Sequence, residues 1–212
     1  MKKKQILLAL LTLIVPGLLL TACQSKQAEK PSATWSAEEE ALVRSYNDSI
    51  MRLWLVESAS DSLFLRQACT PLTREDVADT LFQQLRHQML LTVTNPENEG
   101  VGIAAPQVGI GRRLVAVQRL DKAGEPFEFY INPRFTYLSP DKQTGWEGCL
   151  SIPGRRGKVQ RSTDVVLQYN DETTFELCTD TVRGFTAIIF QHELDHLDGT
   201  LYTDRADTVL IR

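Results

Sequence analysis

The sequence predicts an α+β protein in which a mostly antiparallel sheet packs on a C-terminal helix. The predicted elements follow the order helix, helix, strands, helix, which is typical of α+β domains. The strand-like segments form two hairpins, each joined by turn residues: 114–118 with 127–131, and 165–169 with 174–178. In the second hairpin Cys178 alternates inward with Phe175, and we expect it to be a core residue.

Length and charge narrow the classes of function. The chain has 212 residues and 42% hydrophobic residues, which suits one domain with an extension. Removing residues 1–22 removes three lysines and no acids, so 20 basic and 27 acidic side chains remain, a net charge of about −7. No basic stripe or aromatic platform is present, so we expect no nucleic-acid partner.

The N-terminus has the pattern of a lipoprotein signal peptide, residues 1–22. A lysine run at 2–4 precedes an apolar stretch at 6–20 that Pro16 and Gly17 interrupt, and the stretch ends in Leu-Thr-Ala-Cys, which looks like a bacterial lipobox. We expect a lipidated Cys23, a polar tether over 23–34, export and membrane anchoring, with the membrane and its face left open. An ordinary signal peptide or a signal anchor is the alternative, and an unprocessed chain would be cytoplasmic.

Residues 35–60 are predicted to form a helical extension before a catalytic domain at 61–212. Ser36 and Glu39 fit a capping box, and apolar residues recur at helical spacing at Leu42, Tyr46, Ile50 and Leu53. We expect this helix to pack on the domain, although a partner-binding helix is possible.

A second amphipathic helix is predicted to start at Thr73, with Asp76 three residues later. Its apolar face is formed by Val77, Ala78, Leu81, Phe82, Leu85 and Met89. His87 lies off that face and is expected in solvent.

The C-terminal helix carries the chemistry. Apolar residues 186–190 precede Gln-His-Glu-Leu-Asp-His at 191–196, and Gly199 predicts the helix end. His192 and His196 share a helix face and can bind one divalent metal, with Glu193 beside it to exchange a proton with water. A helix whose polar residues face solvent by chance is the alternative.

A catalytic site of this type needs a third protein ligand. Tyr202 stands where a related motif has its third histidine, so the ligand is a carboxylate or a thiolate. Cys149 is one candidate, because its charged and small neighbours suggest a loop or strand edge.

Three segments in order, GVGIAAPQ at 100–107, EGCLS at 147–151 and QHELDH at 191–196, resemble peptide deformylase. The resemblance spans residues 63–204. It implies a deformylase fold and one Fe²⁺ per chain, replaceable by Zn²⁺, Ni²⁺ or Co²⁺, on Cys149, His192 and His196. Glu193 would be the general acid and base, and the oxyanion would bind the Gln107 amide and the Leu150 backbone N–H.

The resemblance also implies a reaction, which is removal of the N-formyl group from formyl-methionyl peptides with release of formate. Glu147 would pair with Arg161 and hold the Cys149 loop, and Arg156 would meet the peptide backbone. The expected substrate contacts are Val101, Gly102, Ile103, Gly148 and Ile189.

Three other functions stay open. A metallo-amidase or peptidase acting on another N-acyl peptide would use the same water and glutamate, as would a zinc endopeptidase. A non-catalytic lipoprotein that binds metal or formyl peptides would keep the fold and lack the catalytic activity. The oligomeric state is open.

Overall fold

The structure is a computed structural model that describes residues 35–211. The predicted signal peptide, Cys23 and the tether lie outside the described residues. Within 35–211, no helix has the length and hydropathy needed to cross a membrane.

Residues 35–211 contain four α-helices followed by seven strands, a fifth α-helix and an eighth strand, which agrees with the predicted order of helices, strands and a late helix. The helices are α1 Ala37–Ser45, α2 Ala59–Leu65, α3 Arg74–Ala78, α4 Thr80–Thr94 and α5 Gly184–Leu197. The strands are β1 Gly102–Ala104, β2 Leu114–Gln118, β3 Phe127–Leu138, β4 Lys142–Cys149, β5 Ile152–Ser162, β6 Asp164–Asn170, β7 Leu177–Arg183 and β8 Thr208–Ile211. The α+β class is therefore confirmed.

Two antiparallel sheets hold the site between them. One has the order β1-β2-β3-β6-β7, and the other has the order β4-β5-β8. Helix α5 packs on β1 and β2, and its apolar side, including Phe190 and Leu194, forms one core cluster with the first sheet. A second cluster joins α4 to the same sheet through residues such as Phe82 and Leu85.

The predicted capping box at Ser36 is present, and a second capping box lies at the predicted helix start, Thr73. The Ser36 side chain accepts from the Glu39 N–H and the Glu39 carboxylate from the Ser36 N–H, and Thr73 and Asp76 repeat the arrangement. The hydrogen bonds of each box satisfy N–H groups at the start of the helix that have no partner within the helix itself.

Helix α1 belongs to the domain core. Val43 is fully buried, the buried Gln88 amide donates to the Val43 carbonyl at 2.9 Å, and the Glu39 carboxylate pairs with Arg112 at 2.7 Å. The prediction that the helix continues to Leu53 is wrong, because α1 ends at Ser45 and Ile50 is 48% exposed.

The single helix predicted from Thr73 is two helices. Asp79 adopts an extended conformation, and its carboxylate caps α4 by accepting from the Leu81 N–H at 2.8 Å. Except for Ala78, the residues of the expected apolar face are still buried. Val77 is buried in α3, and the others are buried in α4. His87 is exposed as expected.

The second hairpin is confirmed, but its second strand starts later than predicted. The Asp171 carboxylate accepts from the Thr173 and Thr174 N–H groups, which lengthens the turn, and Phe175 has a φ of +57°. Strand β7 therefore begins at Leu177, and Cys178 is only partly buried, so its assignment to the core is wrong. Cys69, Cys149 and Cys178 are all free thiols.

Candidate active site

Helix α5 presents the two histidines of the motif on one face. His192 and His196 are four residues apart, and their ring centroids are 5.2 Å apart. The helix ends before Gly199, which has a φ of +69°, and a Cβ there would lie 2.4 Å from the Arg66 carbonyl oxygen. Only glycine can end the helix here, because it adopts the positive φ and has no Cβ to clash with the Arg66 backbone.

Cys149 reaches the same point from the other sheet. It is the last residue of β4, and a two-residue turn leads into β5. Its Sγ lies 3.2 Å from His196 Nε2, and the three ligand atoms of Cys149, His192 and His196 all lie within 4.8 Å of one another. The structure therefore brings the three predicted ligands together.

This donor set fits a divalent transition metal. One thiolate and two imidazoles are the ligand types that such ions prefer, and three protein ligands leave a position open for chemistry. Burial, with the nearby His192, lowers the pKa of His196 well below its usual value, so this imidazole is neutral and can donate a lone pair. The described residues contain no other cluster of this kind.

Glu147 fixes the orientation of His192. Its Oε2 lies 2.8 Å from His192 Nδ1, and its Oε1 accepts from Arg161 Nε at 2.8 Å. Burial favours protonation, but the hydrogen bonds from Arg161 and His192 outweigh it and lower the pKa of Glu147 to about 2. The carboxylate is therefore charged and holds His192 through Nδ1, so Nε2 is the ring nitrogen that can bind a metal.

The network continues behind Arg161. Arg161 Nη1 donates to Asp195 Oδ2 at 2.6 Å, and Arg205 also donates to Asp195. The Gln191 amide anchors the same helix to β5, because its oxygen accepts from the Ser162 N–H and its nitrogen donates to the Ser162 carbonyl, both at 2.9 Å.

Glu193 lies next to the three ligands and is 4% exposed. Its Oε2 is buried and has no hydrogen-bond partner among the described residues. Burial raises the pKa of Glu193 to about 7, although His192 opposes the shift. A carboxyl group with such a pKa can both accept and return a proton near neutral pH.

Gly102 makes room for this carboxylate. A Cβ on Gly102 would lie 2.5 Å from Glu193 Oε1, closer than any real Cβ contact. The sequence analysis assigned Gly102 to substrate binding, and the structure adds this steric role.

Gln107 presents its amide nitrogen to the site. Its Oε1 accepts from the Ala104 N–H at 2.9 Å, so its Nε2 points towards Cys149 Sγ, 3.5 Å away, and Ser151 Oγ, 3.4 Å away. Leu150 lies in the turn after Cys149, and the oxyanion role of its N–H stays a prediction. The side chain of Gln107 is 1% exposed, so its orientation is held by its surroundings.

The family model for polypeptide deformylase matches residues 54–210. This chain belongs to the polypeptide deformylase family. The match includes the three metal-ligand candidates, Glu193, Gln107 and Leu150.

Similar proteins agree with this membership. The chain is 37% identical over 148 residues to a peptide deformylase of Leptospira biflexa, covering 66% of this chain and 81% of that protein. It is 43% identical over 123 residues to one from Desulforudis audaxviator, covering 58% and 77%. A Met-Ala-Ser-bound crystal structure of a class I type b peptide deformylase from Acinetobacter baumannii aligns with a TM-score of 0.64 and 31% identity, over 74% of this chain and 98% of that one.

Like its family, the chain is a metal-dependent hydrolase of the deformylase type. Its catalytic cleft has a volume of about 450 Å³. Val101, Gly102, Gly148 and Ile189, all expected to contact substrate, line it.

Ile103, the fifth expected contact, does not line the deformylase cleft. Its side chain is fully buried in the core cluster beneath α4, because neighbouring residues of a strand point to opposite faces. The Ile103 side chain therefore does not contact substrate in this cleft, and a contact through its backbone stays a prediction.

The cleft also contains residues that the sequence analysis missed. Phe185 and Ile188 line it from α5. Phe185 lies four residues before Ile189 and Ile188 lies four residues before His192, and this helical spacing was a usable signal. Trp146, 45% exposed, and Arg155 line it from β4 and β5, whose polar sequences gave no strand signal.

Tyr202, which replaces a third histidine in the related motif, packs beside the deformylase site. Its ring stacks on His192 at 6.0 Å between centroids with an interplanar angle of 21°. It is 1% exposed, so it closes the buried side of the metal-ligand cluster.

Proposed function

We propose that this chain is an exported, lipid-anchored deformylase that uses Fe²⁺ to release formate from formyl-methionyl peptides. The observation that carries the catalytic part is the convergence of Cys149, His192 and His196 with Glu193 and Gln107 in one cleft. The lipid anchor rests on the lipobox pattern before Cys23.

The metal would be held by Cys149 Sγ and by the imidazoles of His192 and His196. When bound, a divalent cation supplies Lewis acidity, which makes water a nucleophile near neutral pH and polarises a carbonyl. Iron(II) is the ion that the family resemblance implies, and the mixed thiolate and imidazole donors suit it as well as zinc, nickel or cobalt.

Glu193 performs the proton transfers. Its pKa of about 7 lets it take a proton from the attacking water and then deliver it to the departing amine. Because its Oε2 has no partner among the described residues, the carboxylate is available for both steps.

Gln107 and Leu150 stabilise the charge that builds on the formyl oxygen. The Gln107 amide is held by the Ala104 N–H before substrate arrives, so it need not reorganise during the reaction. Loss of one such donor typically costs about a hundredfold in rate.

The substrate follows from the shape of the cleft. A formyl carbonyl carries only hydrogen and is the smallest acyl group that the cleft could take, while the apolar lining residues Val101, Ile188 and Ile189 suit a methionine side chain. The Acinetobacter baumannii relative was crystallised with Met-Ala-Ser, a peptide that begins with methionine. We therefore propose formylated peptide N-termini as the partners of this chain.

The catalytic proposal is tested by formate release from formyl-Met-Ala-Ser. The purified chain loaded anaerobically with iron(II) is expected to turn the peptide over, and Glu193→Ala is expected to keep its metal and lose nearly all turnover. A metal-loaded, folded wild-type protein that releases no formate would contradict the proposal, as would a Glu193→Ala variant that retains more than a few per cent activity.

The anchoring proposal needs a separate measurement. In a bacterial host with lipoprotein processing, the wild-type chain should incorporate labelled palmitate and collect with membranes, and Cys23→Ala should do neither. Equal membrane association of the two proteins without label would disprove lipid attachment at Cys23.

A further inference from the structure

Two unpaired arginines stand at the mouth of the catalytic cleft. Arg155 and Arg156 are exposed, lie on β5 and both line the cleft. Neither side chain makes a hydrogen bond or ion pair with any other residue of 35–211, whereas Arg161 on the same strand is held by Glu147 and Asp195. Their donors are therefore available to a ligand.

The position of Arg156 is close to the reacting groups. A Cβ on Gly148 would lie 3.9 Å from Arg156 Nε, so this guanidinium lies beside the residue that precedes Cys149. Gly154, with a φ of +68°, turns the start of β5 just before the two arginines. A peptide that leaves the metal-ligand cluster along β5 passes them.

The charges of the cleft are arranged unevenly. Of its three carboxylates, Glu147 is paired with Arg161, and Glu193 is buried at 4% exposure. Glu99 is exposed and lines the cleft from the loop before β1. The β5 edge therefore carries two positive charges, and the β1 edge carries one negative charge.

We propose that Arg155 and Arg156 make this enzyme select formyl peptides that carry a carboxylate within a few residues of the formyl-methionine. The proposal rests on the proposed deformylase activity and names its substrate class. A guanidinium binds a carboxylate through two parallel N–H donors, so an aspartate or glutamate side chain fits, and so does the free C-terminus of a short peptide.

The expected effect is moderate because the arginines are exposed. An exposed ion pair changes binding by a small factor, so two pairs should favour glutamate over glutamine by about fivefold in kcat/KM. Lysine at the same position should be disfavoured relative to glutamine. The preference should act mainly through KM, since the arginines do not touch the formyl group, and should shrink in 0.5 M salt.

The test uses the full iron-loaded chain and matched peptides. C-terminally amidated formyl-Met-Ala-Ser is compared with versions that carry Glu, Gln or Lys at the second or third position, and with the free-acid form of the parent peptide. The amidated peptides report side-chain carboxylates, and the free acid reports the C-terminus. Arg155→Gln and Arg156→Gln are made singly and together, and Lys158→Gln is the control, because it removes one exposed positive charge from β5 outside the cleft.

The proposal expects kcat/KM to decrease in the order Glu, Gln, Lys for wild type and for Lys158→Gln. The double variant should lose that order. Equal kcat/KM for the Glu and Lys peptides, or an order that survives in the double variant, would overturn it.

Binding separates this proposal from the activity on which it rests. Calorimetry of the same intact peptides with Glu193→Gln should show tighter binding of the Glu peptide, with a ratio of dissociation constants that Arg155→Gln and Arg156→Gln remove. Turnover that is absent for every peptide contradicts the deformylase function, and equal dissociation constants contradict the charge selection.

Discussion

Replacing Gly102 with alanine tests whether Glu193 works from its position against β1. The added Cβ would lie 2.5 Å from Glu193 Oε1 and 2.9 Å from both Cδ and Cγ, so the carboxylate must move. The atoms in conflict belong to the end of a flexible side chain, so the cost in folding stability should be small. Loss of glycine also lowers the entropy of the unfolded chain, which offsets part of that cost.

The cost in activity should be much larger. A misplacement of about 1 Å lowers a rate by about a hundredfold, and a general base contributes a similar factor or more. We therefore expect kcat for formyl-Met-Ala-Ser to fall about a hundredfold, equivalent to about 2.7 kcal/mol of transition-state stabilisation. Bound metal should be unchanged, because the three atoms nearest to the Cβ position all belong to Glu193 and none to Cys149, His192 or His196.

The assay is formate release at saturating peptide, with bound metal and thermal unfolding measured on the same samples. Gly145→Ala is the matched control, since its Cβ would meet nothing within 4 Å and the residue lies on β4 outside the cleft. A Gly102→Ala variant with kcat within about threefold of wild type would refute the assignment of proton transfer to Glu193 in this position. A parallel loss of metal would show instead that the ligand cluster was disturbed.

The remaining predictions concern the metal and the folded state. Glu147→Gln should weaken metal affinity by about 10- to 100-fold, measured by chelator competition, because it removes the charged partner of His192 Nδ1; Glu57→Gln, an exposed change, should have no effect. Asp61→Asn should lower the urea midpoint at pH 7, since hydrogen bonds from Arg52 lower the pKa of buried Asp61. A carboxyl with a lowered pKa stabilises the fold above its unfolded pKa and loses that effect as pH falls, so the difference should shrink below about pH 4; a difference independent of pH would contradict this.

The two histidine ligands were predictable because their spacing along one helix places them on the same face. Two histidines four residues apart on a helix must share a face, whatever the rest of the fold does. Cys149 is different, since β4 brings it to α5 from 43 residues before His192. Residue types alone left a carboxylate open as the third ligand, and the order of three motifs pointed to the thiol.

The second sheet, β4-β5-β8, is the largest part of the fold that the sequence pattern did not predict. Strands β4 and β5 are largely exposed and rich in glycine, arginine and lysine, so they lack the alternation of apolar and polar residues that marks a half-buried strand. Backbone pairing such as Glu147 with Gly157 defines them instead. The same polar sequence concealed Arg155 as a residue of the cleft.

The predicted helix boundaries were wrong for a local reason. Apolar positions from Val77 to Met89 fit one helix or two, because periodicity does not report a single extended residue between them. Asp79 stops α3 and caps α4, and aspartate is a residue that commonly serves this purpose. Likewise, Ile50 fits the spacing of α1, although the chain has already left the helix.

The docking of α1 also determines how far the enzyme can reach. The family match begins at residue 54, but the described domain already begins at Trp35, so 11 residues rather than 30 lie between Cys23 and the domain. Fully extended, these segments span about 40 Å and about 105 Å, respectively. With the proposed lipid on Cys23, the shorter connecting segment would limit the distance between the catalytic cleft and the membrane surface. Peptides attached to the same membrane would then meet it at a local concentration far above their average in solution.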